Sequence, residues 1–433
     1  MNTGAQAYFI VRAIEKAMRL CEQFVDPASY GRLRLQGVPG TIVRMLTGES
    51  AGPCLPDDAL GDMNGHYDKV VLLLIDGFGW PAFRRAMARN SFLGGLASGG
   101  RLSKLAAQFP STTACNVTTL NTGLSVAQHG VYEWLYYEPV VDDVIAPLLY
   151  SYAREQKERE TLQRVPGLRP RDIYPAGSLY GTLHARGVKS YVFQHVEYAH
   201  STYSGLVFRP ARVTGYRSLK DGLTRLARRL LHEKGRAYYY FYYDAIDAVQ
   251  HKRGPATAQA EASVDRLLAG LEDIFLRRAG GKSSRSAFVL MADHGQTAID
   301  YRKTVYLNRL LPGMEKYMKR NREGRLMVPA GSCRDMFLYI EEGRLDEAIG
   351  LLRDALNGKA IVCKTSLLVE NGYFAGLPVS EALAGRLGNL VILPLEGESV
   401  WWYEKGVFEI DYYGHHGGLT PGEIEVPLLI GEL

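Results

Sequence analysis

Several acidic and histidine residues stand out in this chain of 433 residues because of where they fall. Asp76 closes the apolar run 70–75 (VVLLLI). Asp244, Asp247 and His251 follow a second run at 237–243, and Asp293 and His294 follow a third at 286–292. His415 and His416 stand just before a fourth run at 426–430. A single Asp after a strand is ordinarily a turn residue or a helix cap. Three Asp and three or four His brought to one edge of one sheet are instead a ligand set for divalent cations. Two such cations about 4 Å apart suit phosphoryl transfer, because they stabilise charge on both the attacking and the leaving oxygen. Mixed His and carboxylate donors select Zn²⁺ first, with Mn²⁺ or Fe as alternatives, whereas an all-oxygen set would select Mg²⁺. A helical turn after 243 would put Asp247 and His251 on one face, four residues apart.

The chemistry also needs a nucleophile. The segment Phe109-Pro-Ser-Thr-Thr-Ala-Cys-Asn116 reads as the approach to a helix start. Ser and Thr are favoured caps, and the free N–H groups of a first turn attract anions. The hydroxyls of Ser111, Thr112 and Thr113 are the candidate nucleophiles, and Ser111 or Thr112 is expected to cap the helix. Cys115 beside it reads as a small buried hydrophobe rather than a thiol nucleophile.

The elements that must position these groups follow from the pattern of apolar runs. Continuous apolar segments at 69–75, 189–194, 237–243, 286–292 and 426–430 suit strands buried on both faces. Helical patterns lie between them at about 81–90, 115–122, 175–186, 219–234 and 256–279. Alternation of this kind predicts an α/β fold with a doubly wound, mostly parallel sheet, whose ligands bind outside the carboxyl ends of the strands. The expected organisation is an N-terminal helical and irregular extension over 1–65, including an amphipathic helix near 7–24. A catalytic domain then covers 66–299 and 406–433, with a small α+β cap inserted over 300–405. Within the cap, the stretches around 334–343, 344–358 and 360–370 read as β-α-β.

Composition narrows the classes. The formal net charge is +5 and no long basic run occurs, so the balance suits anionic small molecules and does not call for a nucleic-acid partner. The 5 Cys are odd in number and scattered without a CxxC pair, which argues against a disulfide framework or a thiolate zinc site and makes a cytoplasmic setting the default expectation. No apolar run has the length of a membrane span. The 27 Tyr cluster at 136–152, 238–243 and 412–413, a pattern of core packing that also permits a stacking pocket.

As an ordered set these motifs resemble the alkaline phosphatase superfamily. They run Asp76-Gly-Phe-Gly, Pro-Ser-Thr-Thr113-x-x-Asn116 with Thr-Gly123-Leu and His129-Gly130, Asp247-x-x-x-His251-x-x-Gly-Pro255, Asp293-His294-Gly295 and His416-Gly. The spacing of the second and third is similar to the nucleotide pyrophosphatase/phosphodiesterases. The resemblance implies one metal site from Asp247, His251 and His416, a second from Asp76, Asp293 and His294, and Thr113 between them as a nucleophile that forms a covalent intermediate. It also implies that the Asn116 amide donates to a phosphate oxygen. The substrate expected is a small phosphate ester, nucleotide-like, cleaved at a phosphodiester or pyrophosphate bond. The same motifs also fit a phosphomonoesterase, a phosphonate hydrolase or a phosphomutase, and more remotely a non-catalytic metal-binding member. Arg334 in the cap is the cation chosen to contact the substrate. His129 reads as structural, His195 and His200 are candidates for the pocket wall, and Asp244 either assists the metal site or hydrogen-bonds locally.

Overall fold

The computed structural model describes residues 21–283 and 285–433. Ten strands define its two main sheets. In chain order they are β1 (Lys69–Ile75), β2 (Arg101–Ala106), β3 (Lys189–His195), β4 (Arg212–Tyr216), β5 (Ala237–Tyr243), β6 (Ser286–Met291), β7 (Met336–Leu338), β8 (Ala360–Lys364), β9 (Leu390–Pro394) and β10 (Glu425–Glu432). Seven form one sheet in the order β2-β10-β6-β1-β5-β3-β4. The α/β class and the mostly parallel sheet expected from the sequence are what is found.

The centre of the sheet is where the apolar runs are purest. β1 is buried at every position, and β5 carries Tyr238, Tyr239, Tyr240 and Phe241 into the core. β1 pairs in parallel with both β5 and β6, with Ile75 opposite Tyr243 and Leu74 opposite Met291. That register makes the three strands end level, so Asp76, Asp244 and Asp293 emerge side by side. β10 is the exception in direction, running antiparallel to both β6 and β2. Its amino end therefore lies where its neighbours have their carboxyl ends. For this reason His416, which precedes β10, reaches the same edge as residues that follow β1, β5 and β6. The edge strands β2 (RLSKLA) and β4 (RVTGY) are partly exposed and polar, so they lack the continuous apolar run that marks the central strands.

Seven helices matter to the argument: α1 (Val38–Thr47), α2 (Trp80–Arg89), α3 (Thr113–Thr122), α4 (Leu219–His232), α5 (Ala245–Arg253), α6 (Ala258–Gly270) and α7 (Leu345–Ala355). Residues 301–405 carry a second sheet, antiparallel, in the order β7-β9-β8. The β-α-β reading of this stretch matches β7, α7 and β8. The fully buried β9, which that reading did not include, lies between β7 and β8 and pairs antiparallel with both. This sheet packs by Phe337 against Phe109, ring centroids 6.5 Å apart, just ahead of α3.

Most of the N-terminal amphipathic helix expected near 7–24 lies outside the described residues. From Leu35 onward the N-terminal stretch is not peripheral. Leu35, Val38, Ile42, Val43 and Leu46 belong to the same buried cluster as β1 and α3. Ile42→Ala is therefore expected to cost about 2–5 kcal/mol, read from the midpoint of urea unfolding, whereas a side chain on a loose extension would cost less than about 0.5 kcal/mol.

Candidate active site

The loop after β1 turns at Gly77, where φ is +69°, and passes close enough to the α5 start that a Cβ at Gly77 would stand 2.9 Å from Asp247 Oδ1. The loops after β1 and β6 touch in the same way: a Cβ on Gly79 would lie 2.4 Å from the Gly295 Cα. Glycine at both positions lets three loops converge on one point.

Around that point the structure places two sets of donors, Asp76, Asp293 and His294 in one and Asp247, His294 and His416 in the other, each with ligand atoms within 4.8 Å of one another. His294 Nε2 is 3.3 Å from Asp76 Oδ1 and 3.5 Å from Asp293 Oδ2. The His294 and His416 rings stack with centroids 3.8 Å apart. His251 stands at the rim of the second set, its Nε2 3.3 Å from Asp247 Oδ2.

Three histidines share one hydrogen-bond pattern. The Nδ1–H of His251 donates to the Gly414 carbonyl at 2.8 Å, that of His294 to Gly295 at 3.0 Å, and that of His416 to Ser111 at 3.1 Å. Each backbone carbonyl thereby selects the tautomer whose unprotonated Nε2 faces the donor set, as metal-ligating histidines require. His415 Nδ1 lies between two groups of its neighbour's backbone, 2.9 Å from the His416 carbonyl and 3.0 Å from the His416 N–H.

The carboxylates complete the case for cations. Asp76 Oδ1 and Asp293 Oδ2 are buried without a hydrogen-bond partner. Burial, and then the charges of Asp293 and Asp247, push the Asp76 carboxyl well above its usual range, and burial raises Asp293 as well. Burial acts on Asp247 in the same sense, but its contact with His251 outweighs it and holds that carboxyl low. Burial and the neighbouring His294 keep His416 neutral, pushing it well below the ordinary histidine range. Buried anionic oxygens aimed at one point, with neutral imidazole nitrogens beside them, fit divalent cations.

Three consecutive hydroxyls approach this cluster and take separate roles. Ser111 Oγ donates to the Gly418 carbonyl at 2.7 Å, tying the loop to the segment that carries His416. The Thr112 side chain caps α3, accepting from the Cys115 N–H at 3.4 Å. Thr113, the first helical residue, has its Oγ1 3.0 Å from His294 Nε2. Since Nδ1 of His294 carries that ring's proton, the Thr113 hydroxyl donates to Nε2.

Two residues chosen from the sequence are placed elsewhere. Asn116 is fully buried. Its amide donates to the Thr112 carbonyl at 3.1 Å and its Oδ1 accepts from the Gln108 N–H at 2.9 Å, so it braces the start of α3 and does not reach the cavity. Arg334 is also corrected: it is 0 % exposed, and its guanidinium pairs with Glu423 at 2.9 and 3.1 Å and donates to the Leu395 carbonyl at 2.8 Å. A guanidinium enclosed in the core by a carboxylate and backbone carbonyls is out of a substrate's reach. His129 is structural, bonded to Thr119 and Val131. Asp244 accepts a hydrogen bond from Tyr198 and lines the smaller cavity described next, outside both donor sets; of the pocket-wall candidates, His195 packs on Tyr216 away from both cavities and His200 borders a separate surface cleft.

Thr113 lies where two cavities meet. The larger, about 700 Å³, opens toward His251, His415, Trp401 and Phe408. The smaller, about 240 Å³, is walled by Tyr198, Tyr203, Tyr240, Tyr242 and Phe208. Glu133, Trp134 and Arg159 also line this space, and no motif in the sequence marks them. Their position depends on how the segment 131–160 folds over the sheet edge.

The sheet order and the Asp/His cluster at its carboxyl edge define an alkaline phosphatase-type fold. The type I phosphodiesterase / nucleotide pyrophosphatase family matches residues 70–419, and the chain belongs to it. It is accordingly a hydrolase acting on phosphoester bonds. No curated protein matches the chain in sequence. Among solved structures it is similar to murine ectonucleotide pyrophosphatase / phosphodiesterase 5, an inactive variant in complex with AMP, at 17% identity and a TM-score of 0.61 over 84% of this chain and 88% of that one. The human ectonucleotide pyrophosphatase / phosphodiesterase 5 aligns at 16% identity and 0.61, over 84% and 87% of the two chains. Phosphonoacetate hydrolase from Sinorhizobium meliloti 1021, in complex with phosphonoformate, aligns at 16% identity and 0.58, over 83% and 89%.

Two predictions follow from these contacts. Glu423→Ala strands the Arg334 charge in the core and is expected to cost about 3–5 kcal/mol in chemical unfolding. The second concerns Glu133, buried beside Asp335. Burial raises both carboxyls, Glu133 from 4.5 to about 8. The folded protein therefore binds a proton here that the unfolded chain has released, so this group's contribution to stability is complete below pH 4.5 and is lost as pH rises through about 8. Glu133→Gln, which cannot ionise, is expected to flatten that decline when unfolding midpoints are measured across the same window.

Proposed function

We propose that the protein cleaves phosphodiester or pyrophosphate bonds of nucleotide-like substrates through a covalent intermediate on Thr113, with two divalent cations, Zn²⁺ first among them. The observation that carries this reading is the position of Thr113 Oγ1, 3.0 Å from His294 Nε2 at the meeting point of two cavities. A diester has a group on each side of phosphorus and needs two spaces; a monoester needs one. Arg334 and Asn116 are committed to the core, so neither balances the second charge of a monoester at Thr113.

Asp76, Asp293 and His294 would hold one cation, and Asp247 and His416, with His251 at the rim, the other. When bound, the pair supplies positive charge for the attacking and leaving oxygens and favours the ionised hydroxyl. The chain's own residues do the rest. Thr112 and Ser111 fix the start of α3, so that Thr113 Oγ1 points out of the helix at the donor cluster. Attack forms the Oγ1–P bond and breaks the bond from P to the leaving oxygen, which takes up a proton from solvent. Water then attacks phosphorus and releases Thr113 with its hydroxyl restored. The aromatic wall of the smaller cavity excludes water from one side of the scissile bond and suits a flat ring. The AMP held by the murine relative of this fold accords with such an occupant.

Hydrolysis of bis-p-nitrophenyl phosphate against p-nitrophenyl phosphate tests the reading. The diester should be cut faster, chelator should abolish turnover, and Zn²⁺ or Mn²⁺ should restore it. Thr113→Ala should lower kcat by at least about a thousandfold while the protein still takes up metal. Turnover persisting in that variant would remove the threonine step, and preference for the monoester would move the assignment to phosphomonoesterase chemistry.

A further inference from the structure

Five residues line both cavities: Thr113, Trp134, Arg159, Asp247 and Ala248. Thr113 and Asp247 belong to the cluster already described, Ala248 has no polar side chain, and Trp134 donates its Nε1–H to Gln156 at 3.3 Å. Arg159 is the only cation of the five. It is exposed and makes no hydrogen bond or ion pair with any other described residue.

The side chain is unengaged while its backbone is pinned. On one side the Glu158 carbonyl accepts from Ser151 Oγ at 2.8 Å; on the other the Glu160 N–H donates to the Leu149 carbonyl at 2.9 Å. Glu160 has φ +66°, a conformation that costs a non-glycine residue about 1 kcal/mol or more and persists only where the surroundings impose it. The two adjacent carboxylates, the natural partners of a surface arginine, are both taken. Glu158 pairs with Arg164, and Glu160 accepts from the Thr202 N–H at 2.9 Å. Lys157 donates to the Gly406 carbonyl at 2.9 Å, and Lys252 lines only the larger cavity. An arginine that lines both cavities on a pinned backbone, with its neighbouring acids held elsewhere, is a ready site for a planar oxyanion.

From this geometry we infer that Arg159 determines specificity, selecting phosphodiesters or phosphoanhydrides in which a group attached to the scissile phosphate carries a second oxyanion. The inference rests on the diester reading above and deepens it. The scissile phosphate of a diester carries a single charge that the Asp/His cluster and its cations would meet, so Arg159, which no other described residue engages, is left for another anionic group. A further phosphoryl group and a carboxylate both match the fork of donors.

Three p-nitrophenyl diesters of similar size decide the matter: propyl, 2-carboxyethyl and 2-phosphonoethyl, assayed by p-nitrophenolate release. The wild-type protein should show a KM about tenfold lower for a charged diester than for the propyl diester. Arg159→Ala should erase that ratio and Arg159→Lys should restore part of it. Whichever charged diester shows the larger ratio identifies carboxylate or phosphoryl as the preferred anion. A ratio near one in the wild type, or one that Arg159→Ala leaves in place, overturns the inference. If the wild-type protein cuts none of the three, the diester reading fails. Equilibrium binding of the propyl and phosphonoethyl diesters to wild-type and Arg159→Ala protein then judges Arg159 by the same ratio.

Discussion

Three carboxylates, Asp76, Asp247 and Asp293, meet at one buried point, and most of the surrounding structure serves to hold them there against their mutual repulsion. Two of their oxygens have no hydrogen-bond partner, and the charge of each raises the cost of ionising Asp76. Such an arrangement is unfavourable unless positive charge offsets it. Rigid backbone keeps it from relaxing. The level ends of β1, β5 and β6 aim the Asp-bearing loops, and glycines at 77, 79 and 295 let those loops touch. The same rigidity that makes the cluster costly makes it preorganised for a cation.

The histidines show how backbone groups tune such a centre. Each of His251, His294 and His416 donates from Nδ1 to a carbonyl, so each presents Nε2 in the form able to bind a metal. One of those carbonyls belongs to Ser111, whose hydroxyl reaches back to Gly418. The nucleophile segment and the His416 segment therefore position each other. The Arg334–Glu423 pair lies behind the same loop, with Glu423 also accepting from the Gly418 N–H at 3.0 Å. A buried cation that the sequence suggested for the substrate instead braces the turn that carries a histidine of the site.

The substrate space is built by different parts of the chain from those that build the Asp/His cluster. Trp134 and Arg159 come from the segment between α3 and β3, and the aromatic wall comes mainly from β5 and the stretch after β3. Members of this family and its structural neighbours handle different small phosphorus compounds on one fold, which agrees with chemistry held at the sheet edge and selectivity placed in the segments above it.

By itself the sequence determined the sheet centre and the Asp/His residues at its edge. Continuous apolar runs admit few structures other than buried parallel strands, and polar residues placed just after such runs must emerge at the carboxyl edge. It also marked the start of α3, since capping is a local interaction between Thr112 and a backbone N–H three residues on. It did not show β2 and β4, whose half-exposed faces carry polar residues, nor β9, which pairs with partners 28 and 54 residues away, Cys363–Val391 and Phe337–Val391 being examples. Only the tertiary structure decided that Asn116 and Arg334 turn inward: the loop before α3 folds back to bring the Gln108 N–H onto Asn116, and Glu423, 89 residues further along the chain, arrives beside Arg334. The same holds for Arg159, whose availability depends on Arg164 and Thr202 occupying its acidic neighbours. Periodicity and capping are written locally; which charge is left unpaired is settled by packing.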